Sequence, residues 1–355
     1  MKITRPKKVL IVDDSATMRT LIRQRIETDR RLEVVGEARD AHEARRLIKE
    51  TSPDVLTLDV EMPHMDGITF LEKLMRLRPL PVVMISSETR SGSRAAVKAL
   101  SLGAVDCIGK PATGGGLQHA FERLPELLVA AASARVQGPR AQKTSAPSAG
   151  FTWNGNIVLI GSSTGGVDAL ETVLSGFPEN APPTLIAQHM PASFLENFAG
   201  RLHKNVLPQV SLAEDMETIS PGRIFLAPGG QTHLAVNAAS EAQCRLLNSE
   251  KVNGHCPSVE VLFESALPLA EKIVAVMLTG MGRDGAKAML KLRQAGARCI
   301  AQDRATSVVF GMPRAVLENG AAENAVPLNE VAGEILRLCG PCGESRDRDF
   351  RGDAK

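Results

Sequence analysis

This sequence predicts an α/β protein made of two doubly wound parallel-sheet domains joined by a flexible linker, and three observations predict it. Short apolar segments, mostly β-branched, alternate with helix-period segments along nearly the whole chain, the pattern of successive βα units. The 355 residues exceed what one hydrophobic core usually serves. From about 125 to 150 the chain passes through Ala-Ala-Ala-Ser-Ala and then Gln-Gly-Pro-Arg-Ala-Gln-Lys-Thr-Ser-Ala-Pro-Ser-Ala-Gly, with no apolar period after Val136. That reads as a helix end followed by a mobile linker. The expected division is a first domain at 6–124, a linker at 125–151, a second domain at 152–345 and a disordered tail at 346–355.

In the first half the strand signals fall at 8–12, 32–36, 55–58, 82–85 and 105–108, with helix-period segments such as 41–49 and 68–77 between them. The strands end in chemistry. Asp13 and Asp14 follow the first, Asp59 the third, Ser86 and Ser87 the fourth, and Lys110 the fifth. In a parallel sheet these ends line the ligand crevice. Carboxylates crowded there repel by roughly 4 kcal/mol per pair at contact distance and an effective dielectric of 20, so they require a cation. Hard oxygen ligands suit Mg²⁺, which keeps several waters and bridges readily to phosphate. Taken singly, Asp13, Asp14 and Ser15 read as helix caps and Asp59 as the start of a turn. Taken together they point to phosphoryl transfer onto a carboxylate.

These residues make 6–124 resemble a two-component response-regulator receiver domain. The resemblance implies that a histidine kinase phosphorylates Asp59, that Asp13, Asp14 and Asp59 hold Mg²⁺, and that Ser86 and Lys110 contact the phosphoryl group. Receivers commonly carry an aromatic residue three places before the lysine. Cys107 stands there, so an aromatic rotamer switch is not implied for this chain.

The second half alternates again, through 156–160, 167–174, 184–187, 193–202, 223–226, 259–266, 273–278 and 286–294. Its most informative stretch is Ile-Val-Leu-Ile-Gly-Ser-Ser-Thr-Gly-Gly at 157–166, an apolar strand running into a glycine-flanked loop that holds up Ser163. Two other strands end in reactive groups: 184–188 leads to His189, and 273–278 leads through Thr-Gly-Met-Gly-Arg to Asp284. A hydroxyl, an imidazole and a carboxylate are the set needed to remove a proton from serine and hold the base in one tautomer. Gly-Ser-Ser-Thr-Gly at 161–165 fits the G-x-S-x-G nucleophile elbow, although such clusters also serve as helix caps and anion cradles. The chain order serine, histidine, acid differs from that of α/β-hydrolases, which disfavours a lipase fold. Of the four histidines in this half, His203 lies in a charged helical run, while His233 and His255 sit in glycine-containing loops and can line the site. His189 alone directly follows an apolar strand.

With Asp-Val-Leu-Thr-Leu-Asp-Val-Glu-Met-Pro at 54–63, Gln-His-Met-Pro at 188–191, and the segments 161–166, 278–285 and 308–314, the chain resembles the chemotaxis protein-glutamate methylesterases, the CheB family, over about 6–338. The resemblance implies a flavodoxin-like receiver joined to a Rossmann-like α/β catalytic domain. It further implies hydrolysis of γ-methyl esters of glutamate on methyl-accepting chemoreceptors and deamidation of certain receptor glutamines. Mg²⁺ would serve receiver phosphorylation, with no cofactor for the hydrolysis. Ser163 then attacks the ester, His189 moves the proton and Asp284 orients His189. A backbone amide at Met281 is the implied oxyanion donor, and that of Thr164, at a helix amino-terminus, is a second candidate. Gly254 and Cys256 stand beside His255 where the family pattern often has arginines, which weakens attraction to acidic receptor helices or shifts it to Arg283 and other bases.

Composition bounds the rest. A net charge of +2, 3% aromatics and no tyrosine argue against nucleic-acid binding. Nothing from 150 onward supplies a basic recognition helix, which disfavours a transcriptional regulator. The apolar runs are strand-sized, so neither a membrane span nor a signal peptide is expected. Six scattered cysteines suggest reduced thiols in a cytoplasmic protein, expected to be a monomer. Cys339-Gly340-Pro341-Cys342 spells a redox motif, but it follows a helical run instead of opening one, which puts the helix dipole on the wrong side. A phosphorylation-gated binding module, with 161–166 gripping a phosphate, is the rival from another class.

Overall fold

The computed structural model describes residues 5–87, 89–110, 121–134, 150–238 and 241–341. Residues 135–149 of the linker expected at 125–151, the tail at 346–355 and Cys342 lie outside the described residues.

The first sheet contains β1 (Lys7–Val12), β2 (Leu32–Ala38), β3 (Val55–Asp59), β4 (Val82–Ser86) and β5 (Asp106–Gly109). It interleaves with helices α1 (Ala16–Ile26), α2 (Ala41–Thr51), α3 (Gly67–Leu77), α4 (Arg90–Ser101) and α5 (Leu124–Ala131). The strand order is β2-β1-β3-β4-β5, all parallel. This is the flavodoxin-like order, whose switch point lies between β1 and β3. Ser15 caps α1 through the Met18 amide, and Asp40 and Asp66 cap α2 and α3. The cap on α1 is therefore Ser15, which leaves Asp13 and Asp14 for other work.

Helix α5 departs from the expected boundary at 124. Pro125 stands in its first turn, where the missing N–H costs nothing, and Leu124, Leu127, Leu128 and Ala131 pack into the core with Ile22 and Ile26 of α1. The first domain thus continues to about 131.

The second domain has β6 (Ile157–Ser162), β7 (Thr184–Gln188), β8 (Gln209–Leu212), β9 (Arg223–Leu226), an antiparallel hairpin of β10 (Thr232–Ala238) and β11 (Ala242–Asn248), β12 (Ile273–Met277), β13 (Arg298–Gln302) and β14 (Ala325–Val326). Its helices are α6 (Gly166–Leu174), α7 (Ala192–Asn205), α8 (Val259–Ser265), α9 (Ala286–Gln294), α10 (Met312–Glu318) and α11 (Leu328–Cys339). The main sheet is parallel in the order β14-β13-β12-β6-β7-β9-β8. Leaving out the edge strand β8, this is the Rossmann order, and it reverses between β6 and β12. Strands β6, β7 and β12 are buried at every residue, which is why they read as continuous apolar runs.

The two domains touch. Helix α4 packs against α6 and α7, and its Ala96, Val97, Ala99 and Leu100 join one apolar cluster with Leu170, Val173, Phe194 and Phe198. Among the described residues no helix is long and apolar enough to cross a membrane.

Candidate active site

Ser163, His189 and Asp284 follow β6, β7 and β12, three strands adjacent at the switch point of the second sheet. The Ser163 loop is clamped from both sides. Ser162 donates its hydroxyl to Gln188 Oε1 at 2.6 Å, and Gln188 Nε2 donates to the Ser163 carbonyl at 3.0 Å. From β12 the Thr279 carbonyl accepts the Ser163 amide at 3.0 Å, and the Thr279 hydroxyl donates to the Thr164 carbonyl at 2.9 Å. Gly165, with φ of 77°, turns the chain into α6 in a conformation that favours glycine. A Cβ on Gly166 would lie 2.0 Å from Gln188 Oε1. Gly166→Ala is therefore expected to break the clamp and cost about 1–3 kcal/mol in denaturant unfolding. A variant as stable as wild type would contradict this assignment.

His189 Nε2 lies 2.8 Å from Asp284 Oδ2. A carboxylate only accepts, so Nε2 carries the proton and Nδ1 keeps its lone pair. Nδ1 is buried and has no hydrogen-bond partner. No hydrogen bond joins it to the Ser163 hydroxyl among the described residues; such bonds often tighten only when substrate arrives. Ser163 is 5% exposed.

Asp284 is anchored at the start of α8. It accepts from the Val259 amide at 2.7 Å, the Ser258 hydroxyl at 2.9 Å and Asn253 Nδ2 at 2.8 Å, besides His189. Burial pushes its carboxyl up, but hydrogen bonds from His189, Asn253 and Val259 outweigh burial and hold it below the usual carboxylate range. His233, expected in a loop, is buried in β10. Its Nδ1 accepts the Ser258 amide and its Nε2 donates to the Glu250 carbonyl, so it fixes the α8 start. His203 is exposed on α7 and accepts the Val210 amide. His255 stacks face to face on His189, with ring centroids 3.5 Å apart and planes 7° apart.

Gly280 passes so close to the loop that a Cβ there would lie 2.8 Å from that of Ser163, which places the Met281 segment beside the hydroxyl. The Thr164 and Met281 amides donate to no acceptor among the described bonds.

The first domain covers this site. Thr164 donates its hydroxyl to Asp106 Oδ2 at 2.5 Å, and the Gly165 amide donates to the Val105 carbonyl at 3.2 Å, both at β5. Arg123, just before α5, lies 3.4 Å from His255 Nδ1, and Val308 packs on the α5 side of the receiver core. Sequence reasoning missed Asp106, Gln188, Asn253 and Ser258. Each acts on residues far away in the chain, so no local pattern marks them.

In the first sheet, Lys110 Nζ pairs with Asp59 Oδ2 at 2.8 Å and Asp13 Oδ2 at 3.5 Å. Asp13 and Asp59 are buried, and Asp14 is exposed. Burial pushes the Asp59 carboxyl up to about 6 against the pull of Lys110. Ser86 ends β4, buried, and its carbonyl accepts the Lys110 amide at 2.7 Å. Carboxylate oxygens of Asp13, Asp14 and Asp59 lie within 4.8 Å of one another, three hard donors of which Asp13 and Asp59 share one lysine. That excess of negative charge fits a divalent cation with oxygen preference. Cys107 is buried on β5, and Cys339, at the end of α11, is a buried thiol pushed up to about 12 by burial, the opposite of a reactive thiolate.

Comparison with known proteins places both halves. Residues 158–335 match the CheB methylesterase family and 9–122 the response regulator receiver domain. The protein-glutamate methylesterase/protein-glutamine glutaminase 1 of Caulobacter vibrioides is 51% identical over 335 residues, 93% of this chain and 97% of that protein. The protein-glutamate methylesterase/protein-glutamine glutaminase of Agrobacterium fabrum is 50% identical over 339 residues, 93% and 96% of the two chains. Among solved structures, the catalytic domain of Thermotoga maritima CheB methylesterase is 38% identical over 52% of this chain and 99% of that one, with a TM-score of 0.50. Identity at this level along nearly the full length means that the chain belongs to the CheB methylesterase family, in the form that carries an amino-terminal receiver domain.

Proposed function

We propose that this protein hydrolyses γ-methyl esters of glutamate on methyl-accepting chemoreceptors and deamidates receptor glutamines, under the control of phosphorylation at Asp59. The observation that carries the reading is the anchored His189–Asp284 pair, whose unpartnered Nδ1 sits on the strand next to that of Ser163. Ser163 Oγ attacks the ester carbonyl while His189 Nδ1 takes its proton. The oxyanion is met by the Met281 and Thr164 amides. Collapse expels methoxide, which leaves as methanol with the proton from His189. Water, deprotonated by His189, then attacks the acyl-enzyme, and Ser163 recovers its proton as glutamate is released. General-base action contributes about 10²- to 10⁴-fold and an oxyanion donor about 10²- to 10³-fold. That suffices for an ester and is modest for an amide, so ester hydrolysis should outpace deamidation.

On this reading, a chemotaxis-type histidine kinase supplies the phosphoryl group. Asp13, Asp14 and Asp59 would hold Mg²⁺, which offsets charge on the incoming phosphoryl oxygens, while Lys110 and Ser86 contact them. The enzyme acts in the cytoplasm as a monomer, with receiver and esterase units near the boundaries drawn from the sequence, the receiver extended through α5. The resting state is the covered one, and phosphorylation weakens the contact at β5. Release of methanol from methylated receptor membranes tests the activity; no release by the phosphorylated protein would overturn it.

Asp106 gives the regulatory half its own test. Burial pushes the Asp106 carboxyl up, so the bond from Thr164 is an ordinary hydrogen bond and contributes about 0.5–1.5 kcal/mol. Asp106→Ala should therefore raise turnover by the unphosphorylated protein about two- to tenfold, with little change in the phosphorylated form. Removal of residues 1–150, which takes Asp59 with it, should likewise raise turnover above that of the unphosphorylated full-length protein. Basal rates unchanged in both would exclude the receiver as a cover.

A further inference from the structure

We infer that the tight turn from Val252 to His255 is a positioning device for the catalytic base, in which the face of His255 fixes the plane of the His189 ring while Asn253 fixes its carboxylate partner. The inference rests on the function proposed above and goes beyond it by naming residues that act through His189 and Asp284. Val252 and His255 exchange both backbone hydrogen bonds at 3.0 Å, closing a two-residue loop of Asn253 and Gly254. Both loop residues have positive φ, 52° and 81°, the geometry that an Asn-Gly pair favours in a hairpin turn. One rigid turn thus delivers an amide to Asp284 at 2.8 Å and a ring to His189 at 3.5 Å. Gly254, which stands where an arginine was expected, supplies the backbone freedom for this turn.

The stack does useful work only if His255 stays uncharged, because His189 becomes a cation in each half-reaction. In the covered state burial pushes the His255 imidazole down to about 3, with His189 after β7, Arg123 from the receiver and Lys251 in the same loop also opposing a charge on it and Asp284 favouring one. Arg123 withdraws with the receiver, while His189 and Lys251 belong to the second domain and stay. Arg123 can only donate, so Nδ1 of His255 is an acceptor in the covered state, and Nε2 carries the proton.

The test uses the phosphorylated full-length protein and methylated receptor membranes, with His255→Ala, His255→Phe and Ser163→Ala side by side. Misplacing a catalytic group by about an ångström costs up to about 10²-fold. His255→Ala should therefore lower kcat about ten- to hundredfold with little change in KM. His255→Phe, which keeps a flat uncharged face, should restore most of kcat. Wild-type kcat in His255→Ala would overturn the inference, and so would a loss that appears in KM instead of kcat or that His255→Phe does not recover. An active Ser163→Ala would instead overturn the proposed function, so the two failures are distinguishable.

Discussion

Ser163→Ala is expected to lower methanol release from methylated receptors by about 10⁴-fold or more while leaving the unfolding transition in place. The hydroxyl makes no described hydrogen bond, and what holds the loop is backbone and neighbour chemistry: the Ser162 hydroxyl, Gln188 and Thr279. Removing one oxygen from Ser163 therefore takes away the proposed nucleophile without touching the clamp. Because His189 and Asp284 have nothing to activate without it, their contribution vanishes with it, and a double Ser163→Ala, His189→Ala variant should be no slower than the single one. Appreciable turnover by Ser163→Ala would mean another nucleophile.

Asp284→Asn should cost about as much, for a different reason. The carboxylate accepts from His189, Asn253, Ser258 and the Val259 amide. An amide has one acceptor oxygen and two donor hydrogens, so it cannot satisfy this set. His189 would be driven toward the tautomer with its proton on Nδ1, where no lone pair remains to receive the serine proton. In a serine hydrolase this kind of tautomer error lowers kcat by about 10⁴-fold. Stability should fall too, by about 1–3 kcal/mol for each donor left unpaired in a buried place. The sign of the pH dependence follows. Because the folded carboxyl is held below its ordinary value of 3.8, its stabilisation is fully present above that value and is lost as pH falls below it. Wild type should therefore lose thermal stability on acidification below about pH 4 more steeply than Asp284→Asn. Parallel melting curves would contradict the anchoring role.

Much of this architecture can be read from residue order because the decisive strands are buried on both faces. Such strands are written in continuous apolar residues, as in 82–85 and 157–160, and their ends fall where the switch-point rule puts ligands. Less committed strands escape. β13 starts with Arg298, and in β11 the adjacent Leu246 and Leu247 fall on opposite faces, so neither has a long apolar run or a clean alternation. Helix α5 escapes because Pro125 reads as a stop when it is in fact a start. The candidate base pair is legible since each member directly follows a strand or its short loop. The cover and the clamps are not. Thr164 meets Asp106 across 58 residues of sequence and Arg123 meets His255 across 132, contacts that only the packing of two domains creates.

Whether the receiver covers a reactive Ser163 is tested by the rate at which a serine-directed phosphonate labels the full-length protein, with the adduct mapped to a residue. A single adduct at Ser163 is expected, formed slowly by the unphosphorylated protein and markedly faster after phosphorylation at Asp59. Labelling that is absent, or that lands elsewhere, or that proceeds at one rate in both states would contradict it, and complete absence would favour a phosphorylation-gated binding module in which no covalent step occurs.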